Sequence, residues 1–213
     1  LNINAKMKPI NKPMKRLSLY LFLILFTLQT PSWADDIRDF QIEGMSIGDS
    51  LLDHFTEAEF KEASKEAEIR FHKDNKFAEL LFYKHSKFEI YDGVRVVWKP
   101  KDENYQLYGV TGLIYFRYNF EDCSNKRKII ENEITTILKN SKKIDRGKVN
   151  HTFDKTGDSY FNEIYFKVDG LDQIRLYCMN WSDKFDKIGY WDALNVIIGG
   201  KEFGKFLIDE AYK

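Results

Sequence analysis

Residues 105–118 read YQLYGVTGLIYFRY, and this run of β-branched and aromatic side chains decides the fold class. Such side chains are typical of strands, because they pack well on a pleated, half-buried surface. Gly109 and Gly112 interrupt the run and predict a bulge or a close approach of another group. The middle of the chain therefore predicts a strand of a larger sheet.

Further strand patterns lie on both sides of this run. Upstream, valines and Trp98 alternate with basic residues between Gly93 and Pro100. Downstream, two β-rich runs are joined by Asp169-Gly170, a dipeptide typical of hairpin turns. The predicted strands are residues 94–98, 105–118, 160–168, 173–179 and 193–198.

Helical patterns flank the strands. Ser46 can cap a short helix whose apolar side chains form one stripe. Thr56 with Glu59 forms a capping box that starts a second helix. Residues 69–87 mix aromatic and charged side chains, and their pattern does not decide between a helix and a strand. Lys139 to Lys148 is interpreted as a basic linker. The predicted helices are residues 46–55, 56–66, 124–140 and 202–212.

The order αα-ββ-α-βββ-α, with neighbouring strands joined as hairpins, predicts an α+β fold. We expect one domain over residues 35–213, with an antiparallel sheet and helices packed on one face. No internal repeat or dividing linker is evident in this part of the sequence.

The first 34 residues predict an export signal. They contain five basic residues and no acidic one, then the apolar run LSLYLFLILFTL at 17–28, and they end in Ser32-Trp33-Ala34, a pattern that signal peptidase cleaves. The apolar run is shorter than the roughly 20 residues that span a bilayer. We expect cleavage after Ala34 and a periplasmic or secreted domain without a transmembrane segment, with an uncleaved anchor as the alternative.

Leu1, Met7 and Met14 all remain open as the start of translation. The choice affects only the segment that we expect to be removed, because each start leaves basic residues before the apolar run. No cysteine lies near Ala34, so the sequence does not predict lipoprotein processing.

Charge limits the partners of the exported part. The whole chain has 33 basic and 33 acidic residues, but five of the basic ones lie in the predicted signal. Residues 35–213 therefore carry a surplus of acidic side chains. A general binder of nucleic acid or of anionic membranes needs a basic surplus, so neither partner is predicted.

The chain contains two cysteines, Cys123 and Cys178. In an oxidising compartment, two thiols in one domain most simply form a disulfide. Two buried free thiols are the alternative. A cysteine nucleophile is a third possibility, but the sequence shows no histidine-centred set of partners for it.

Gly48-Asp49-Ser50-Leu51 resembles the nucleophile block of the GDSL esterase and lipase family. The resemblance implies that Ser50 attacks an ester carbonyl. The family's Asp-x-x-His and Gly-x-Asn-Asp strings are missing from this chain. The alternative interpretation is a helix start, where an early acidic residue such as Asp49 is favourable.

Lys126, Arg127 and Lys128 fall in the first turn of the helix predicted at 124–140. Free N–H groups at a helix start bind anions, so the three residues predict a small anion-binding site. The alternative is a solvated face, in which these cations lie near Glu131 and Glu133.

The remaining candidates for chemistry are histidines and tryptophans. The histidines lack the spacing of zinc ligands, so we predict no metal and no cofactor. The tryptophans predict either core packing or a surface for a sugar or a partner. The residues in question are His54, His72, His85, His151, Trp98, Trp181 and Trp191.

Three further strings carry a resemblance to known proteins. They are DFQIEGMSIGDSLL at residues 39–52, a Cys before a basic-rich helix (Cys123), and Cys-x-x-Trp from Cys178 to Trp181. Together they resemble a family of uncharacterised small exported proteins of marine bacteria, a likeness that implies export but no activity. Gly44-Met45-Ser46 followed by a helix also resembles the SmpA-type outer-membrane assembly lipoproteins, although the lipobox cysteine is missing.

These observations leave two hypotheses. The first is a non-enzymatic exported binding module whose partner is another envelope protein or a small ligand. The alternative is an exported serine hydrolase that uses Ser50. A hydrolase predicts a deep pocket with a polar triad, whereas a binding module predicts an open groove or an aromatic patch.

Overall fold

An antiparallel sheet forms the centre of the fold. The computed structural model describes residues 36–139, 141–168, 170 and 172–210, and eight strands lie in this part of the chain. The strands are β1 (Arg70–Phe71), β2 (Ala78–Tyr83), β3 (Gly93–Trp98), β4 (Gly109–Tyr115), β5 (Lys142–Asn150), β6 (Tyr160–Lys167), β7 (Gln173–Asn180) and β8 (Ala193–Gly199). The predicted signal, with its cleavage site and the three candidate starts, lies outside the described residues.

The strand order in the sheet is β1-β2-β3-β4-β8-β7-β6-β5. The chain runs through the first four strands in sequence, crosses to the far edge after α2, and returns until β8 pairs with β4. The helices of the described residues are α1 (Glu57–Glu66), α2 (Phe120–Ile137), α3 (Asp183–Asp186) and α4 (Lys201–Asp209). This arrangement confirms the predicted α+β class and the single domain with an antiparallel sheet.

The main core lies on one face of the sheet. Alternate side chains of the strands, such as Val96, Val110 and Leu176, are almost fully buried there, together with residues of α1 and α2. In a strand, neighbouring side chains point to opposite faces, so Val97 faces the other way. Phe203 of α4 packs with Val97. Thus α1 and α2 share one face, and α4 covers one end of the opposite face.

The helix predicted at 46–55 is wrong. The structure shows only a 3₁₀ turn at Leu51–Asp53, capped by Ser50. The chain pairs with residues 105–107 instead: Gly48 N–H donates to the Leu107 carbonyl at 2.9 Å, and Leu107 N–H donates to the Asp49 carbonyl at 2.9 Å. A distant segment thus takes the hydrogen bonds that a helix would have made, which the local pattern did not indicate.

The basic linker predicted at 139–148 is also wrong, because residues 142–150 form β5. This strand lies at the edge of the sheet and pairs with β6 in the register Ile144 to Tyr165 and Val149 to Phe161. Most of its side chains are exposed, so it lacks the apolar alternation by which strands are recognised. The ambiguous segment 69–87 supplies β1 and β2.

Helix boundaries follow the caps. The predicted capping box is confirmed, since Thr56 and Glu59 bond to each other's backbone N–H. Helix α2 begins at Phe120, four residues earlier than predicted, because Asn119 Oδ1 accepts the N–H of Asp122 at 3.1 Å. Asn140 and residues 211–212, at the predicted ends of two helices, lie outside the described residues, as does Asp169 of the predicted hairpin pair.

Gly109 and Gly112 allow close packing, as the sequence predicted. A Cβ atom added to Gly112 would lie 2.3 Å from the ring of Tyr91, and one added to Gly109 would lie 3.2 Å from Phe203. The pairing of β4 with β3 and β8 is regular. Close approach, rather than a bulge, therefore accounts for both glycines.

A disulfide joins Cys123 of α2 to Cys178 of β7, with a Cα–Cα distance of 5.9 Å. This confirms the predicted pairing. Both side chains are almost fully buried beneath the helix. Among the described residues, none of the helices combines the length and apolar character that crossing a membrane requires.

Candidate functional site

A cleft of about 1010 Å³ opens beside α3, where the turn after β4, the loop between β5 and β6 and the end of β7 meet. Its lining combines aromatic rings with carboxylates, two lysines and uncharged hydrogen-bonding groups. The lining residues that carry the argument are Tyr118, Asp158, Asn180, Trp181, Asp183, Lys184, Asp186, Lys187, Ile188 and Asp192.

Trp181 anchors the aromatic wall of the cleft. Its ring centroid lies 4.5 Å from that of His151, 4.7 Å from that of Tyr190 and 5.3 Å from that of Phe185. Such edge and tilted contacts are favourable for aromatic pairs and hold the rings in place. Phe153, whose ring contacts that of His151, is 64% exposed and extends the apolar surface outwards.

Asp154 fixes the loop that forms the upper edge of the cleft. Its carboxylate accepts hydrogen bonds from the hydroxyls of Ser159 and Thr156, both at 2.6 Å, and from the hydroxyl of Ser182 at 3.1 Å. These bonds, led by that of Ser159, hold the pKa of Asp154 below its usual range. The carboxylate therefore stays ionised at neutral pH, and the loop loses this anchor only in strong acid.

Two half-buried carboxylates line the cleft. Asp192 accepts the backbone N–H of Trp181 at 2.7 Å, and burial, with the nearby charge of Asp186, raises its pKa. The Asp186 carboxylate accepts a hydrogen bond from the Tyr118 hydroxyl, and its Oδ1 lies 3.8 Å from Arg117 Nε. The inner wall therefore presents hydrogen-bond acceptors whose charge is partly balanced by Arg117.

Tyr118 stands at the rim of the cleft. Its side chain is 74% exposed, yet its hydroxyl donates to Asp186 and the guanidinium of Arg117 lies 5.8 Å from its ring centroid. The hydrogen bond to Asp186 raises the pKa of Tyr118. The ring is therefore held from two sides although most of it faces water.

A separate ion network crosses the sheet face opposite α1 and α2. Glu163 is 1% exposed. Its carboxylate accepts hydrogen bonds from Arg146 Nη1 at 3.0 Å and from Arg175 Nε at 2.8 Å. Glu79 pairs with Arg70 and, at 3.7 Å, with Arg95 Nε. Both carboxylates are paired within the sheet, so we assign this network to the scaffold.

The structure places Ser50 in a capping role. Its hydroxyl donates to the Asn104 carbonyl at 2.6 Å and accepts the N–H of Leu52 at 3.2 Å. The nearby imidazole of His54 is bonded to Asp49 at 3.2 Å. The proton of Ser50 is therefore directed at a backbone carbonyl rather than at a general base.

We expect a fluorophosphonate probe to leave Ser50 unmodified, because no base is poised to activate its hydroxyl. Ser50→Ala should lower the free energy of unfolding by about 1 kcal/mol, the usual effect of losing an N-cap. Mass spectrometry of the treated protein and urea unfolding measure the two effects. Ser64→Ala, at a half-buried position within α1 and away from any N-cap, serves as the control. Stoichiometric labelling of Ser50 would instead support the serine hydrolase.

Lys126, Arg127 and Lys128 lie inside α2 and not at its start. Backbone N–H groups at these positions are used within the helix, so they are not offered to an anion. Successive residues of a helix also point about 100° apart, so the three side chains diverge. Arg127 is buried, and its Nη1 lies 3.4 Å from Glu131. The geometry on which the anion-site prediction rested is therefore not present.

The tryptophans divide between core and cleft. Trp98 is 3% exposed and belongs to the main core, and Trp191 packs on Tyr115. Trp181 lines the cleft. Within the described residues, no group of three or more His, Cys, Asp or Glu side chains is placed to hold a metal ion.

Sequence reasoning missed the cleft, although residues 181–192 (WSDKFDKIGYWD) carried a signal. This short segment combines four aromatic and three acidic residues with no long apolar run. Such a composition favours an exposed, aromatic-lined surface over a core element. Comparison with known proteins finds no matching family, no matching curated protein and no matching solved structure, so we infer the function from the cleft itself.

Proposed function

We propose that the protein is an exported, non-enzymatic binding module that holds its ligand in the cleft beside α3. The observation that carries this proposal is the apolar rim of the cleft. Of the residues that line the cleft, Tyr118 is 74% exposed and Ile188 67%. A rim of exposed apolar side chains around an open cavity with polar groups inside it is typical of a binding site.

Export is supported by two independent features. The N-terminal order of basic, apolar and small residues fits a cleavable signal. The buried Cys123–Cys178 disulfide fits an oxidising compartment such as the periplasm or the cell exterior. The ligand is either a small molecule or a part of another envelope component.

We expect N-terminal sequencing of the exported protein to begin at Asp35. The physical reason is that the peptidase requires small residues at Ser32 and Ala34, next to an apolar run too short to remain as a membrane anchor. Replacing Ala34 with a bulky residue such as Phe should block this cleavage. Wild-type protein that retains residues 17–28 in the membrane fraction would contradict the export signal.

The binding proposal is tested by thermal unfolding in the presence of fractionated envelope extract. A ligand that binds the folded state raises the melting temperature by mass action. The wild type should be stabilised by at least one fraction, and Tyr118→Ala/Ile188→Ala should not respond. Both replaced side chains are mostly exposed, so the variant should fold normally.

Phe71→Ala/Ile129→Ala is the matched control. Phe71 is 55% exposed and Ile129 46%, and neither lines the cleft. This variant should respond to the extract as the wild type does. An equal response of all three proteins, or none from the wild type, would overturn the proposal.

A further inference from the structure

We infer that the cleft binds a neutral saccharide, which stacks one face of a sugar ring on Tyr118 and bonds its hydroxyls to the polar wall. This inference rests on the proposed function and names the ligand class of the same cleft.

The first support is the way in which Tyr118 is held. Its backbone has φ +60°, a left-handed conformation that is unfavourable for a residue other than glycine. Its hydroxyl is bonded to Asp186 and the Arg117 guanidinium lies over one face of its ring, so both contacts hold the ring in its exposed position. Because the ring is 74% exposed, these contacts contribute little to packing of the hydrophobic core. They keep a flat apolar surface ready for a ligand, at little cost in side-chain entropy on binding.

A sugar ring fits such a surface. One face of a pyranose presents C–H groups, which match the apolar body of a tyrosine, while the hydroxyls around its edge remain free for hydrogen bonds. The phenol oxygen of Tyr118 is already bonded to Asp186. The ring therefore offers its face, rather than its hydroxyl, to the ligand.

The second support is the mixed polarity of the wall. Asp158 and Asp183 supply acceptors, whereas Asn180, Lys184 and Lys187 supply donors. Sugar hydroxyls both donate and accept, so they can satisfy both kinds of group. A polyanion would meet the carboxylates of the lining, and an extended peptide would be expected at a sheet edge, which here is formed by β1 and β5.

The experiment is calorimetric titration of the exported protein with hexasaccharides. The neutral probes are cellohexaose, laminarihexaose, maltohexaose and chitohexaose, and an alginate hexamer is the anionic probe. We expect at least one neutral probe to bind, and Tyr118→Ala to weaken its binding by about tenfold. Tyr118→Phe, which keeps the ring but loses the bond to Asp186, should weaken binding less. Phe71→Ala should leave the affinity unchanged.

The outcomes separate this inference from the proposed function. Three results would each overturn the inference of a neutral saccharide ligand. They are failure of every neutral probe to bind at millimolar concentration, preference for the alginate hexamer, and unchanged affinity of Tyr118→Ala. If the extract still stabilises the wild type but not Tyr118→Ala/Ile188→Ala, the cleft remains a binding site for another ligand. If neither extract nor saccharide acts through the cleft, both proposals fall.

Discussion

Breaking the Cys123–Cys178 disulfide is expected to lower the free energy of unfolding by about 2–5 kcal/mol. The bond closes a loop between residues that are 55 apart in sequence, so it removes many conformations from the unfolded chain. It also fastens α2 to β7 by a covalent bond. Because a domain's whole stability is about 5–15 kcal/mol, the loss should be large.

Urea unfolding of the protein, with and without reductant, measures this effect. Cys123→Ser and Cys178→Ser should be destabilised to a similar degree, since each removes the same bond. The double variant Cys123→Ala/Cys178→Ala should no longer respond to reductant. Recovery of two alkylatable thiols from the unreduced protein would show that the bond does not form.

Glu163→Ala is expected to cost about 3 kcal/mol, because removing one partner of a buried ion pair leaves charges uncompensated. Glu163 is 1% exposed and joins Arg146 and Arg175 on adjacent strands. The side chains of the two arginines are 50% and 27% exposed, so water can partly solvate them after the change. We therefore expect the lower end of the range known for buried pairs.

The same urea experiment tests this prediction. Glu62→Ala breaks an exposed pair with Lys65 and should cost between about 0 and 1 kcal/mol. Adding Arg146→Met to Glu163→Ala should recover part of the lost stability, because it removes one unpaired charge. A loss no larger than that of Glu62→Ala would mean that the network contributes little to folding.

The sequence predicted most of the sheet and both long helices, because their stability depends on a buried apolar face that leaves a regular pattern. Val94, Val96 and Trp98 recur at every second position in this way and lie in β3, and the capping box at Thr56 sets the start of α1. The disulfide was predictable because two cysteines allow one pairing. Elements without a buried face, such as β5, leave no such pattern.

The candidate site could not be predicted in the same way, because its residues come from distant parts of the chain. Tyr118 follows β4, Asp158 lies in the loop before β6, and Asp183 begins α3. Only the antiparallel return of β5 to β8 brings these segments to one end of the sheet. Gly48-Asp49-Ser50 shows the opposite error, since a recognisable string proved to be a turn.

The strand β5 has a consequence for the behaviour of the protein at high concentration. An open sheet ends in strands whose unused backbone groups can pair with another molecule and start aggregation. Here β1 is only two residues long, and β5 carries Lys142, Lys143 and Lys148 with a change of register between Asp145 and Gly147. A second copy approaching this edge would meet lysines and an irregular backbone. The segment that resembles a linker thus disfavours pairing of two copies through this edge.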